Sequence, residues 1–351
     1  MAQPIFKNRS HKFTDELEFQ IYELINSNGL ELHLTNYGAR MTSIKLPLKN
    51  QQEKLDVILG YDNLADYIND KDYMNAIVGR VANRIHNGSF SIQDANYQLN
   101  LNENKHHLHG GSQGFDTKFW HFIESFTSND QVGVVLQLMS NHLDQGYPGK
   151  LLVTASYILK NDNSLHLKIE AESDQSTPVS ITNHNYWNFN GHDKTYADIT
   201  NHHLKINSNL ICETNCELIP TGKLIDVSQS NLDFRSSRSI ASSLTNCEGI
   251  DSNFCFENTK KISVMAGLFC PVTNAGMVLS SNLPGLQCYT GEHMSSFYKG
   301  KQNKSYGKSF GICLEPQFFP NAVNQASFAS PILLPNEKYD RSIIMKFEFD
   351  N

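Results

Sequence analysis

The sequence predicts an all-β protein built as one large antiparallel β-sandwich. Three observations predict it. Apolar and polar residues alternate in segments spread over the whole length, convincing helices are scarce, and no βαβ rhythm, repeat or low-complexity linker interrupts the chain. With no seam to divide them, residues 1–351 are read as a single domain.

Taken in order, "LELHLTNYGARMTSIKLP" (30–47) reads as two strands joined around Tyr37-Gly38. "DNLADYIND" (62–70) offers one or two helical turns, and "SSRSIASSLT" (236–245) another short piece; neither sustains the repeat of a core helix. "QVGVVLQLMS" (131–140) is a strand. "LLVTASYILK" (151–160) and "SLHLKIEAES" (164–173) flank "NDN" and read as a hairpin. The second puts Leu165, Leu167, Ile169 and Ala171 on one face and His166, Lys168 and Glu170 on the other. "GMVLSS" (276–281), "LQCYTG" (286–291) and "RSIIMKFEFD" (341–350) complete the set of strands.

Composition removes several function classes. Hydrophobic residues at 39%, with 20 Phe and 14 Tyr, supply a core and exclude a disordered chain. A net charge of −7 with scattered basic residues argues against nucleic acid as partner. No stretch approaches the roughly 20 apolar residues of a membrane span, and the N-terminal residues show no signal-peptide pattern. The seven cysteines, Cys212, Cys216, Cys247, Cys255, Cys270, Cys288 and Cys313, are odd in number and irregularly spaced, with no CxxC pair. A cytoplasmic protein with reduced thiols is expected.

Polar residues crowd at five places between strands. In "VGRVANRIHNGSF" (78–90), Asn83 and Arg84 bring the donors and acceptors that suit sugar hydroxyls; a surface loop with an ion-paired Arg is the competing reading. "NKHHLHGGSQGFD" (104–116) packs His106, His107 and His109 together, but no further ligand pattern completes a zinc site, and no metal is expected. "TPVSITNHNYWNFNG" (177–191) sets His184 beside Tyr186 and Trp187, a proton donor next to rings that can stack on a sugar, or a histidine held at the core edge. "GIDSNFCF" (249–256) carries Asp251. In "GICLEPQFFPNAVN" (311–324), Glu315 ends an apolar run before Pro316, either functional or reaching solvent from a strand end.

Together these segments resemble the aldose 1-epimerase (galactose mutarotase) family. "NYGARMTSI", "GRVANRIHNGSF", "LHGGSQGFDTKFW", "GYPG", "TPVSITNHNYWNFNG", "GIDSNFCF", "LPGLQCYTG" and "LEPQFFPNAVNQ" follow the family's order from about Asn36 to the C-terminus. The resemblance implies a mutarotase-like supersandwich with an open cleft for a free aldohexose, and interconversion of α and β anomers of sugars such as galactose and glucose. It implies Glu315 as general base, His184 as general acid and His109 near the ring oxygen. It also implies Asn83, Arg84 and Asp251 on sugar hydroxyls, with Gln287 in the same cleft. Acid–base ring opening and reclosure involves neither cofactor nor metal. A carboxylate near about 4.3 and an imidazole near about 6.5 suit the base and the acid.

Two departures bear on sugar preference. Glu292-His293 stand where the family commonly has Asn-Phe after "YTG", which puts sugar contacts there in question, and Trp187 replaces a common Phe, which could re-aim one wall. His106 and His107 fall outside the "LHGG" core and are read as loop residues, while Gly110 and Gly111 are read as letting the backbone turn tightly beside His109. The alternatives are a non-catalytic sugar sensor of the same fold, a glycoside hydrolase pairing Asp251 with Glu315, and a relative acting on sugar phosphates. The last would want Arg and Lys clustered around Arg84. Oligomeric state is left open, a monomer included.

Overall fold

The computed structural model describes residues 3–12, 14, 18–49, 51–192, 198–244, 249–256, 261–294 and 299–350. Strands dominate, and among the described residues the named strands pair antiparallel, with one isolated parallel bridge between Val81 and Ser180. The hairpin expected around "NDN" is present as Leu151–Lys160 and Ser164–Ser173, in register from Leu151 opposite Ser173 to Leu159 opposite Leu165. Its first strand buries every second residue, as the alternation requires. At the turn Asn163 takes a φ of 66°, and Asp162 accepts from the Ser164 amide at 3.0 Å.

This hairpin lies inside a nine-stranded sheet that also holds Gln131–Ser140, Ala275–Ser281 and Tyr339–Phe349. A five-stranded sheet contains Glu31–Thr35 and Met41–Leu46, the two strands expected around Tyr37-Gly38. A six-stranded sheet contains, in spatial order, Tyr186–Trp187, Ile312–Gln317, Gly285–Tyr289, Asp251–Cys255, Leu210–Thr214 and Pro220–Asp226. All three sheets contribute to one continuous apolar core, running from Tyr22 and Leu32 through Val134, Tyr157 and Phe254 to Leu314 and Phe347. Helix is confined to short pieces such as Leu64–Ile68 and Ala241–Leu244; Thr245 and Cys247 lie outside the described residues. No helix among the described residues is long and apolar enough to cross a membrane.

Candidate active site

The six-stranded sheet sets out the site by its pleat. Residues directly opposite on antiparallel strands share a face, and so do residues two apart on one strand. Tyr186 lies opposite Cys313, Glu315 opposite Gln287, Gln287 opposite Asn253, and Tyr289 opposite Asp251. Tyr186, Glu315, Gln287, Tyr289 and Asp251 therefore project from one face, while Ile312, Leu314, Leu286, Cys288 and Phe254 project from the other into the core. The same alternation that builds the core thus lines up the polar residues on four neighbouring strands.

The facing wall comes from loops held by short bridges. Arg84–Ile85 pairs with His107–Leu108, and the chain then turns through His109 (φ 51°), Gly110 (φ 93°) and Gly111 (φ 99°). A Cβ on Gly110 would stand 1.8 Å from the Gly79 carbonyl oxygen, so the loop closes this tightly only with glycine there. His184 is pinned by its own backbone, donating to the Ala76 carbonyl at 2.9 Å and accepting from the Asn75 amide at 3.0 Å. Tyr73 (φ 54°) is brought in by Asp70, which accepts from the Met74 amide and from buried Arg40, both at 2.7 Å.

Between these walls lies a cleft of about 190 Å³. Asn83, Arg84, His109, His184, Tyr186, Asp251, Gln287 and Glu315 all line it, so the expected site residues converge. Lys71, Asp72, Tyr73, Glu103, Leu108 and Tyr289 line it as well and were not singled out from the sequence; His293, half of the Glu292-His293 departure, lines it too.

Glu315 is 1% exposed and stands 3.8 Å from His184 (Oε1 to Nε2), so it does not reach solvent from its strand end. Its Oε2 has no hydrogen-bond partner. Burial, reinforced by the Asp251 charge, pushes its carboxyl well above the usual carboxylate range. His184 is pushed down to about 4 by burial, and its Nδ1 lies 3.5 Å from the Cys313 thiol. Burial thus moves both groups off the ordinary values on which the sequence reading relied, each toward its neutral form. Burial therefore favours a protonated Glu315 carboxyl and a neutral His184 imidazole.

His109 sits edge-on to His184, with ring centroids 5.2 Å apart, and its Nδ1 accepts from the Asn83 amide at 3.2 Å. That bond fixes the tautomer with the proton on Nε2. Burial first, then the charges of His184 and Arg84, hold its pKa well below the ordinary value, so it is a neutral donor. Tyr73 packs on both imidazoles, at 4.7 Å from His109 and 5.9 Å from His184.

At the far end of the cleft, Gln287 Nε2 donates to Asp251 Oδ1 at 2.5 Å, leaving Gln287 Oε1 buried without a partner. Arg84 donates from Nε and Nη2 to Glu103 at 2.7 and 2.8 Å, and its Nη1 lies 3.8 Å from Asp251. Arg84 is therefore both ion-paired and part of the cleft wall. Asn83 accepts the Arg84 amide through Oδ1 at 2.8 Å. Burial raises the Asp251 pKa, opposed by Arg84 and by the Gln287 hydrogen bond. Unpartnered acceptors on Glu315 and Gln287 cost about 1–3 kcal/mol each when buried, and hydroxyl groups would satisfy them.

The sequence profile of the aldose 1-epimerase family matches residues 20–346. The chain belongs to the aldose 1-epimerase family. Among its relatives, galactose mutarotase of Bos taurus is 33% identical over 326 residues, which is 92% of each chain. Aldose 1-epimerase of Escherichia coli (strain K12) is 28% identical over 346 residues, covering 95% of this chain and 96% of that one. Two crystal structures superpose with a TM-score of 0.86 at 25% identity. They are a GalM/aldose epimerase homologue from C. elegans, covering 94% of this chain and 99% of the other, and galactose 1-epimerase from Lactobacillus acidophilus NCFM, covering 100% of both.

Within this epimerase chain, three expectations need correction. His106 and His107 are not solvated loop residues. His107 is fully buried, with Nδ1 2.6 Å from the Asn100 carbonyl and Nε2 2.7 Å from the Tyr147 hydroxyl; His106 is 3% exposed and accepts the Asn87 amide at 3.1 Å. Trp187 forms no wall of the cleft. Following cleft-facing Tyr186 by one residue, it points to the core and stacks on Phe189 at 6.1 Å. Of the pair Glu292-His293, only His293 lines the cleft; Glu292 instead accepts the Ile250 amide at 2.8 Å and the Thr290 hydroxyl.

Proposed function

We propose that the protein interconverts the α and β anomers of free aldohexoses, galactose and glucose among them, by acid–base ring opening and reclosure. The observation that carries this reading is the buried Glu315–His184 pair, carboxyl and imidazole 3.8 Å apart on the cleft wall. In the working form, Glu315 takes the proton from the C1 hydroxyl while His184 delivers one to the ring oxygen, and the C1–O5 bond breaks to give the open aldehyde. Rotation about C1–C2 presents the other carbonyl face, and the two transfers then run in reverse. Hydroxyls entering the cleft replace some of the solvation Glu315 lost, which moves its proton toward His184.

His109, as a neutral Nε2–H donor, steadies the ring oxygen. Asp251, Arg84, Asn83 and Gln287 hold the remaining hydroxyls, and Tyr186 offers a ring face. Residues 1–351 are read as one domain working on free sugar in the cytoplasm, the shared core of the three sheets supporting the first point. Arg84 is committed to Glu103, which favours a neutral sugar over a sugar phosphate.

Polarimetry on freshly dissolved α-galactose tests the proposal. The drift toward equilibrium rotation accelerates in proportion to enzyme; an unchanged drift overturns the enzyme reading in favour of a sensor. Release of the aglycone from a chromogenic galactoside overturns it in favour of a hydrolase.

A further inference from the structure

We propose that Glu103 is the residue that positions Arg84, keeping its guanidinium off Asp251 so that both stay open to sugar hydroxyls. The inference rests on the sugar-binding part of the reading above. Arg84 offers five N–H donors in a rigid planar fork. Glu103 takes two of them, from Nε at 2.7 Å and Nη2 at 2.8 Å, through its two separate oxygens. Such a doubly bonded pair fixes the plane of the guanidinium as well as its position. The remaining Nη1 stops 3.8 Å from Asp251 Oδ2, well beyond a charged hydrogen bond of about 2.7–2.9 Å.

That gap has a consequence. Asp251, which lines the cleft, is held instead by Gln287, whose Nε2 donates to Oδ1 at 2.5 Å, while its Oδ2 stays 3.8 Å from Arg84. Without Glu103 the guanidinium would have one carboxylate in reach rather than two. It would close on Asp251, spending the donor and the acceptor that otherwise meet the substrate. Glu103 reaches Arg84 from a separate loop held by its own backbone, the Glu103 amide donating to the His106 carbonyl at 3.2 Å and the His106 amide donating back at 2.8 Å. Both side chains of the pair are mostly buried, 12% exposed for Arg84 and 27% for Glu103, so solvent screens the interaction only in part.

The test is a double-mutant cycle on galactose binding by isothermal titration calorimetry, with KM and kcat read in parallel by polarimetry. Glu103→Ala is expected to weaken galactose binding about tenfold and to raise KM accordingly, with kcat within about threefold of wild type. In an Arg84→Ala background, Glu103→Ala is expected to change little, because the group it positions is gone. Glu103→Gln keeps the shape and one acceptor oxygen, and restores part of the affinity. It also serves in place of Glu103→Ala if that variant does not fold, with a loss of about threefold expected.

Unchanged affinity in either Glu103 variant overturns the inference. Fully additive losses overturn it too, since they mean that Glu103 acts on the sugar or the fold independently of Arg84. If wild type binds galactose and the cycle is non-additive but no mutarotation is accelerated, the catalytic reading fails and the role of Glu103 stands. Absence of galactose binding by wild type overturns both.

Discussion

Replacing Glu315 by Gln separates the catalytic role proposed for this residue from its effect on stability. Gln fits the same space at 1% exposure and keeps a donor and an acceptor toward His184, but it cannot take the C1 hydroxyl proton. General-base catalysis contributes about 10²–10⁴-fold, so the barrier should rise by about 3–5 kcal/mol, while galactose binding stays within about threefold. The stability effect has the opposite sign. Burial and the Asp251 charge raise the folded pKa of Glu315 well above its ordinary 4.5. Its native-state contribution is therefore fully present below the unfolded pKa and is lost as pH rises toward the folded one. Gln carries no such penalty, so Glu315→Gln should melt higher than wild type, by a margin that widens as pH rises above the ordinary carboxylate range. Polarimetry, calorimetric titration with galactose and thermal melts across pH read all three quantities. A variant retaining more than about a tenth of the wild-type rate would falsify Glu315 as the base. A melting gap that narrows as pH rises would refute the buried-acid account while leaving the catalytic assignment intact.

His184→Asn should lower the rate by about 10²–10⁴-fold. Because burial depresses the histidine from 6.5 to about 4, its stabilising share is present above 6.5 and lost as pH falls through about 4. The variant should lose about 3 kcal/mol less than wild type across that window, read by urea melts. His107→Leu orphans the Asn100 carbonyl and the Tyr147 hydroxyl and should destabilise by about 2–4 kcal/mol, with KM and kcat per folded molecule within about twofold of wild type. Trp187→Phe removes packing against Phe189 and Phe347 and should cost about 1–3 kcal/mol without altering the ratio of galactose to glucose turnover; a changed ratio would place Trp187 back at the cleft.

What could be read from the sequence follows the range of the interactions involved. Strand alternation is local, and it located Leu151–Lys160, Ser164–Ser173 and Tyr339–Phe349 with little loss. It also carried information that the site reading did not use. Once Tyr186 is put on the cleft face, a period of two sends Trp187 to the core, so the wall assigned to Trp187 contradicted the alternation itself. Glu103 had no such signal. It bonds Arg84 across 19 positions from a loop of Asn, Glu and Lys, where a charged residue ordinarily faces water. His107 likewise depends on Tyr147, 40 residues away. Tyr73 reaches the histidines only because Asp70, held by buried Arg40, curls its segment.

Burial of Glu315 and His184 is the other quantity that no spacing encodes, and it changes the chemistry expected of the site. An exposed Glu and His would both be ionised over much of the range between about 4.3 and 6.5, and would meet the sugar as an ion pair already solvated. In this cleft desolvation drives both toward neutrality, a carboxyl on Glu315 and an uncharged imidazole on His184. On the proposed mechanism, hydroxyls that satisfy Glu315 Oε2 and Gln287 Oε1 would favour the charged, working arrangement. On that mechanism, recognition and proton placement would be one event. A sugar lacking the hydroxyl that meets Gln287 should lose kcat as well as affinity, because the field that shifts the proton is weakened along with the contact.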